Sequence, residues 1–146
     1  MDTKRYFTVQ EANALIPMLE ERFGRILRLR SQLRTAYQEL ERLGETPSAE
    51  TLTRLSGPPE LRAARGKFRA LMEALQEDIR AVEATGAEIK DLDIGLCDFL
   101  GRRRGRDVYL CWRYGERQIT HWHDLNAGFA GRQPLDEGEL PPRVVH

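Results

Sequence analysis

The sequence predicts an α+β fold: a long antiparallel helical hairpin, then a small three-stranded antiparallel β-meander, then a Gly-rich C-terminal loop. Three observations predict it. Apolar residues recur at steps of three and four through the first half of the chain, the period falls to two after Gly86, and glycines punctuate the run from Gly115 to Gly131. A single domain over 1–146 is expected, with the hairpin at 1–86, the meander at 87–125, and the loop with a mobile tail at 126–146.

The first helix starts at a capping box, Thr8 with Glu11. Ala12, Ile16, Leu19, Phe23, Ile26, Arg30, Leu33, Tyr37 and Leu40 then fall on one face, with only Arg30 breaking the apolar stripe. Gly44 is a natural stop. A helix from Val9 to Leu43 is roughly 50 Å long, a length that suits a coiled-coil-like hairpin or an arm. Pro17 lies beyond the first turn and removes the bond to the Asn13 carbonyl, which predicts a kink. Residues 44–59 are a Gly- and Pro-rich connector with one short helix around Pro47–Leu55, and a second long helix runs from Pro59 to Thr85. Its stripe is Leu61, Ala64, Phe68, Leu71, Leu75, Ile79 and Val82, so the two helices should bury each other's apolar faces.

Beyond Gly86, Glu88 to Ile94 alternates apolar and charged residues, and Cys97-Asp98-Phe99-Leu100 continues the extended segment. A polar turn at Gly101–Arg106 leads to Val108–Tyr114, rich in strand formers. Gly115-Glu116 has the pattern of a two-residue type II′ turn, and Arg117 to Trp122 is the returning strand. This turn sets a register in which Leu110 faces His121 and Val108 faces His123. One face then carries Val108, Leu110, Trp112, Ile119, His121 and His123, and Cys111 falls on the other.

Lys+Arg and Asp+Glu both number 23, so the chain has no net basic field. No apolar run is long enough for a membrane span, the N-terminus lacks a signal-peptide core, and two cysteines make no disulfide framework. A cytoplasmic protein with no membrane partner is expected. Arg102, Arg103, Arg104 and Arg106 form a locally basic turn able to meet a phosphate-rich partner. Lysine occurs at only three positions in the whole chain, however, so arginine is the general cation here and a solvated turn is the favoured reading.

His121 and His123 are two apart on a strand, with Cα atoms about 6.6 Å apart, and could clamp a divalent metal such as zinc. Asp124 is the nearest third ligand, with Asp98, Asp91, Asp93 or a helix glutamate as alternatives. Cys97 would sit about 9–10 Å from His121, too far to share one ion. Gly128-Phe129-Ala130-Gly131-Arg132-Gln133 could offer backbone N–H groups and a guanidinium to an anion, without the spacing of a nucleotide-binding fingerprint.

Several runs resemble a known pattern. They are Tyr6-Phe7-Thr8 with Glu11-Ala12-Asn13, Leu15 and Pro17; Lys90-Asp91-Leu92 with Gly95-Leu96 and Asp98-Phe99; Tyr109-Leu110-Cys111-Trp112 with Gly115-Glu116; and Trp122-His123 through Gly128–Pro134. Together they are similar to the small bacterial family catalogued as domain of unknown function 2203. The resemblance spans nearly the whole chain and implies a single-domain cytosolic protein. It implies Trp122 and His123 as part of the family pattern, and an aromatic residue where His121 stands.

The function expected is a non-enzymatic binding or interaction module with a small-ligand or anion site formed by Asp98, Trp112, Glu116, His123 and Arg132. The alternative is a metal-dependent, hydrolase-like enzyme using His121 and His123 with a carboxylate. Homo-oligomerisation through the helices is expected because Leu15, Leu27, Leu29, Leu43 and Met72 lie off the two stripes.

Overall fold

The computed structural model describes residues 5–140, grouped in two compact units. One holds the described residues through Phe23 and those from Ala81 onward, and the other is Gly24–Arg80. In the first unit, Thr8 Oγ1 accepts from the Glu11 N–H at 3.0 Å while Glu11 Oε1 accepts from the Thr8 N–H at 2.9 Å. The capping box therefore opens α1 (Val9–Ala14) as the sequence predicts. Leu15 interrupts the helix before α2 (Ile16–Arg42) begins. Pro17 cannot donate to the Asn13 carbonyl and its ring crowds that group. The Leu15 N–H turns instead to the Ala12 carbonyl at 3.1 Å, and the expected kink is a one-residue interruption at Leu15, whose backbone stays in the right-handed helical region.

In the second unit, α2 and α3 (Pro59–Glu83) run antiparallel, tied by Arg25–Asp78 at 3.3 Å and Arg42–Glu60 at 2.9 Å. Gly44, at φ +87°, ends α2, and the Glu45 N–H reaches back to the Leu40 carbonyl at 2.9 Å. The connector holds one short 3-10 turn, Thr51–Thr53. Buried Arg65 clasps it: Nε and NH2 fork onto Glu45 at 2.7 and 2.9 Å, and NH1 donates to the Arg54 and Ser56 carbonyls. No described helix is long and apolar enough to cross a membrane.

The sheet has five antiparallel strands in sequential order, not three: β1 (Glu88–Asp91), β2 (Leu96–Arg103), β3 (Arg106–Arg113), β4 (His121–Asp124) and β5 (Gln133–Pro134). The segment expected to be one strand from Glu88 to Leu100 folds back on itself. Asp91 Oδ1 accepts from the Asp93 and Ile94 N–H groups at 2.8 and 3.3 Å, and Gly95 adopts φ +69°, which turns the chain. The β2–β3 hairpin closes through Arg104 and Gly105, both at positive φ as a type I′ turn requires. Part of the expected C-terminal loop is the fifth strand. Leu135 is buried, with its N–H on the Thr120 carbonyl at 2.8 Å, and Arg103 holds Asp136 and Glu139. Of the tail expected to be mobile, residues 141–146 lie outside the described residues.

The β3–β4 register is one residue away from expectation. Cys111 pairs with His121, Leu110 with Trp122, Tyr109 with His123 and Val108 with Asp124. A slip of one flips every side chain of a strand, so the face assignment from a Gly115-Glu116 two-residue turn is overturned. Gly115 occupies the third position of a turn closed by the Glu116 N–H on the Arg113 carbonyl at 2.9 Å. The chain then continues irregularly to Thr120 before β4 starts. Ile119, fully buried, donates its N–H to Asn13 Oδ1 at 2.6 Å, an anchor distant in sequence that no local rule reveals.

One face of the sheet consequently carries Cys97, Phe99, Val108, Leu110, Trp112 and Trp122, all buried. Phe7 meets Phe99 edge-on at 5.1 Å, and Phe23 meets Trp112 at 5.8 Å, so this face closes the core against the N-terminal helices of the unit.

Candidate functional site

The other face is where polar chemistry collects. Cross-strand pairing lines up Glu88, Asp98, Cys111 and His121 in one row over β1 to β4, with Tyr109 and His123 in the next row. Asp98 on β2 and His123 on β4 reach over the central strand to each other: Asp98 Oδ2 lies 2.9 Å from His123 Nε2. Each of these two residues is 2% exposed. His123 Nδ1 lies 2.7 Å from the Asp124 carbonyl oxygen. That oxygen only accepts, so Nδ1 carries a hydrogen and the ring orientation is fixed.

Cys111 completes the group. One donor atom each from Asp98, Cys111 and His123 lie within 4.8 Å of one another, and all three residues are buried. Burial pushes the Asp98 carboxyl above the usual carboxylate range, against the opposing pull of the His123 imidazole. Burial, reinforced by the Asp98 charge, pushes the Cys111 thiol up to about 12. Asp98 Oδ1 is buried without a hydrogen-bond partner.

A belt of larger side chains surrounds the cluster. Tyr109 lies tilted against His123 with ring centroids 5.5 Å apart and donates its hydroxyl to Glu88 at 3.1 Å, while Lys90 pairs with Glu88 at 3.2 Å. On the opposite flank Glu116 organises the irregular loop. It accepts the Arg113 N–H on Oε1 at 2.7 Å, its carbonyl accepts Trp112 Nε1 at 2.9 Å, and both carboxylate oxygens take Arg132 NH2 at 3.1 Å. Arg132 also covers the Phe129 ring at 4.8 Å.

The residues singled out from sequence therefore separate. Asp98 and His123 meet, and Glu116 meets Arg132, but Trp112 lies on the core face with its indole spent on the turn. The proposed metal set of His121, His123 and Asp124 is not assembled. The two histidines share a face, whereas Asp124 points to the other side and pairs with Arg106 at 3.1 Å. His121 is half-buried, with Nδ1 2.8 Å from Thr120 Oγ1. Burial, with Arg132 nearby, holds its imidazole below the ordinary histidine value.

The turn-based register separates Cys111 from the histidines, whereas in the structure it stands directly across from His121. The signal that finds it is the apolar alternation. Pairing Trp122 with Leu110 on the core face sends Asp98, Cys111, Arg113 and both histidines to the polar face together. Cys97, by contrast, lies on the core face opposite Trp112.

The cluster is not arranged for nucleophilic catalysis. A Cys-His-Asp relay needs one imidazole nitrogen on the thiol and the other on the carboxylate. Here one nitrogen faces the carboxylate and the other a backbone carbonyl, and the thiol is held protonated. The arginine turn is likewise engaged: Arg102 with Asp107, Arg103 with Asp136 and Glu139, Arg104 with Asp136, and Arg106 with Asp124.

No curated protein and no solved structure matches the chain. A family model does, over residues 5–135, a span that includes all three α-helices, all five strands and every member of the buried cluster. The chain belongs to the family of uncharacterized conserved proteins designated DUF2203.

Proposed function

We propose that the protein is a non-enzymatic metal-binding module that holds a divalent transition-metal ion between Asp98, Cys111 and His123. The observation that carries this reading is the orientation of His123. With the Nδ1 hydrogen committed to the Asp124 carbonyl, Nε2 is the ring atom that faces a carboxylate oxygen 2.9 Å away. Two basic atoms meet there out of contact with water, and a positive charge must lie between them: a proton or a metal ion. In metal centres, a ligating imidazole is held by this same kind of second hydrogen bond.

Charge and donor type select the ion. A thiolate and a carboxylate together cancel a divalent cation, so the loaded site is neutral and burial carries little penalty. Thiolate, imidazole and carboxylate form a donor set suited to zinc. Burial favours holding over hydrolysis, because a catalytic zinc keeps one position open to water and substrate, and none of the three residues is more than 2% exposed.

The test is elemental analysis of protein purified without an affinity tag, before and after incubation with zinc. Stoichiometric zinc that is lost in Cys111→Ser and His123→Gln is expected. A folded wild-type protein that takes up no zinc, cobalt, nickel, manganese or iron overturns the proposal. Self-association through the helices is a second part of the reading. A shallow groove of about 400 Å³ on Gly24–Arg80, lined by Leu33, Tyr37, Phe68, Met72 and Leu75, supports it. A monomer at micromolar concentration in sedimentation equilibrium removes it. Cytoplasmic residence is part of the same reading, supported by two free cysteines, both buried.

A further inference from the structure

We infer that His121 is the entry ligand of this centre, the group that takes the metal ion from solvent and passes it to Cys111. The inference rests on the metal-binding reading and adds a route to it. Asp98, Cys111 and His123 are buried, so none of them offers an arriving ion an exposed donor.

The row that crosses the sheet has two ends. At the β1 end, Glu88 is engaged by the Lys90 ammonium and the Tyr109 hydroxyl, and Lys90 lies over the Tyr109 ring at 4.7 Å. Both ends carry a cation paired with a carboxylate, Lys90 with Glu88 here and Arg132 with Glu116 near His121, so the difference lies in the donor: Glu88 already has two partners. At the β4 end stands His121, half-buried and directly across from Cys111 on the same face. Its Nδ1 is occupied by Thr120 Oγ1, and Nε2 makes no hydrogen bond among the described residues. His121 is not one of the three residues whose donor atoms cluster within 4.8 Å. It is therefore placed to hold an ion transiently, with a stationary site one cross-strand step further in.

An entry ligand and a resident ligand have different kinetic signatures. By microscopic reversibility, a group on the path speeds arrival and departure equally and leaves the equilibrium unchanged. A resident ligand changes the equilibrium. The experiment mixes metal-free protein with Co²⁺ alone in a stopped-flow instrument and follows the cobalt–thiolate absorption. Affinity is measured separately by competition with a chelator of known strength.

For His121→Gln, association and chelator-driven release should both slow by on the order of tenfold, a barrier raised by about 1.4 kcal/mol, with Kd within a factor of two. Glu88→Gln should leave both rates unchanged. His121→Asn provides a second variant, and its circular dichroism spectrum establishes that the sheet is intact. Unchanged rates in both His121 variants overturn the inference, as does a Kd raised as far as His123→Gln raises it, because His121 is then a resident ligand. Slowing by Glu88→Gln instead places the route at the other end and also overturns it. A wild-type protein that binds no Co²⁺ defeats the metal-binding reading itself, and this one with it.

Discussion

Asp98 and His123 sit on strands that are not neighbours, yet their side chains meet at 2.9 Å over the central strand. Each is the other's compensation for burial, and the two obvious substitutions of Asp98 should differ. Asn can donate its amide hydrogen to His123 Nε2, so Asp98→Asn should change stability by no more than about 1 kcal/mol. Asp98→Ala leaves a buried ring nitrogen unpaired and should cost about 1–3 kcal/mol. Urea denaturation of metal-free protein measures both. Equal losses mean that the volume at this position, and not the hydrogen bond, sets its stability.

The irregular path from Gly115 to Thr120 depends on one side chain from α1. Asn13→Ala removes the acceptor of the Ile119 N–H, which is buried too deeply for water to replace it. The expected cost is about 1–3 kcal/mol, offset by about half a kcal/mol from better helix propensity. Amide hydrogen exchange gives the sharper reading: protection at Ile119 should fall while protection in α2 is retained. Exchange at Ile119 that does not change removes Asn13 as the anchor.

These two pairs show which parts of the fold are legible in the sequence. The Thr8–Glu11 box and the stops at Gly44 and Gly86 are local, and each is where the sequence places it; the kink expected at Pro17 is an interruption at Leu15. The division of the first expected strand into β1 and β2 is hidden because Leu92 and Ile94 keep the alternation going through what is a turn, and only Asp91 and Gly95 mark it. The site was half legible. Polarity on a small sheet marks Asp98 and His123, but a register read from the turn residues alone puts Cys111 on the opposite face from both histidines. Register was in fact set by Trp122 on the core face and by Ile119 held from Asn13. A contact between residues 13 and 119 leaves no periodic trace in a sequence.

The connector between the helices should be sensitive to acid. The Arg65 guanidinium holds the Glu45 carboxyl below the usual carboxylate value, with burial opposing it. A carboxyl whose folded value is lowered stabilises the protein fully above its unfolded value, near 4.5, and loses that contribution as pH falls through the folded value. Stability should therefore decline from about pH 5 downward. Glu45→Gln should flatten that part of the curve. Urea midpoints measured between neutral and acid pH check it, and a wild-type slope retained in Glu45→Gln shows that other carboxyls are responsible.

Gly95 and Gly44 both adopt positive φ, +69° and +87°, and backbone strain alone predicts similar costs for replacing them with Ala. Their surroundings differ. A Cβ at Gly44 meets nothing within 4 Å, whereas one at Gly95 falls 2.5 Å from Tyr114 Cβ and 3.4 Å from the Phe23 ring. Gly44→Ala should cost about 1 kcal/mol, the left-handed backbone penalty alone. Gly95→Ala adds overpacking to that penalty and should cost about 2–4 kcal/mol. The Gly95 carbonyl also accepts the Tyr114 N–H at 2.8 Å, at the end of β3 that precedes the irregular loop. Displacement there should therefore be felt at Cys111 as well. Faster modification of Cys111 by a thiol reagent in a Cys97→Ala background is the added mark expected of Gly95→Ala and not of Gly44→Ala. Equal melting temperatures for the two variants exclude the close approach of Tyr114 as the reason glycine is needed at position 95.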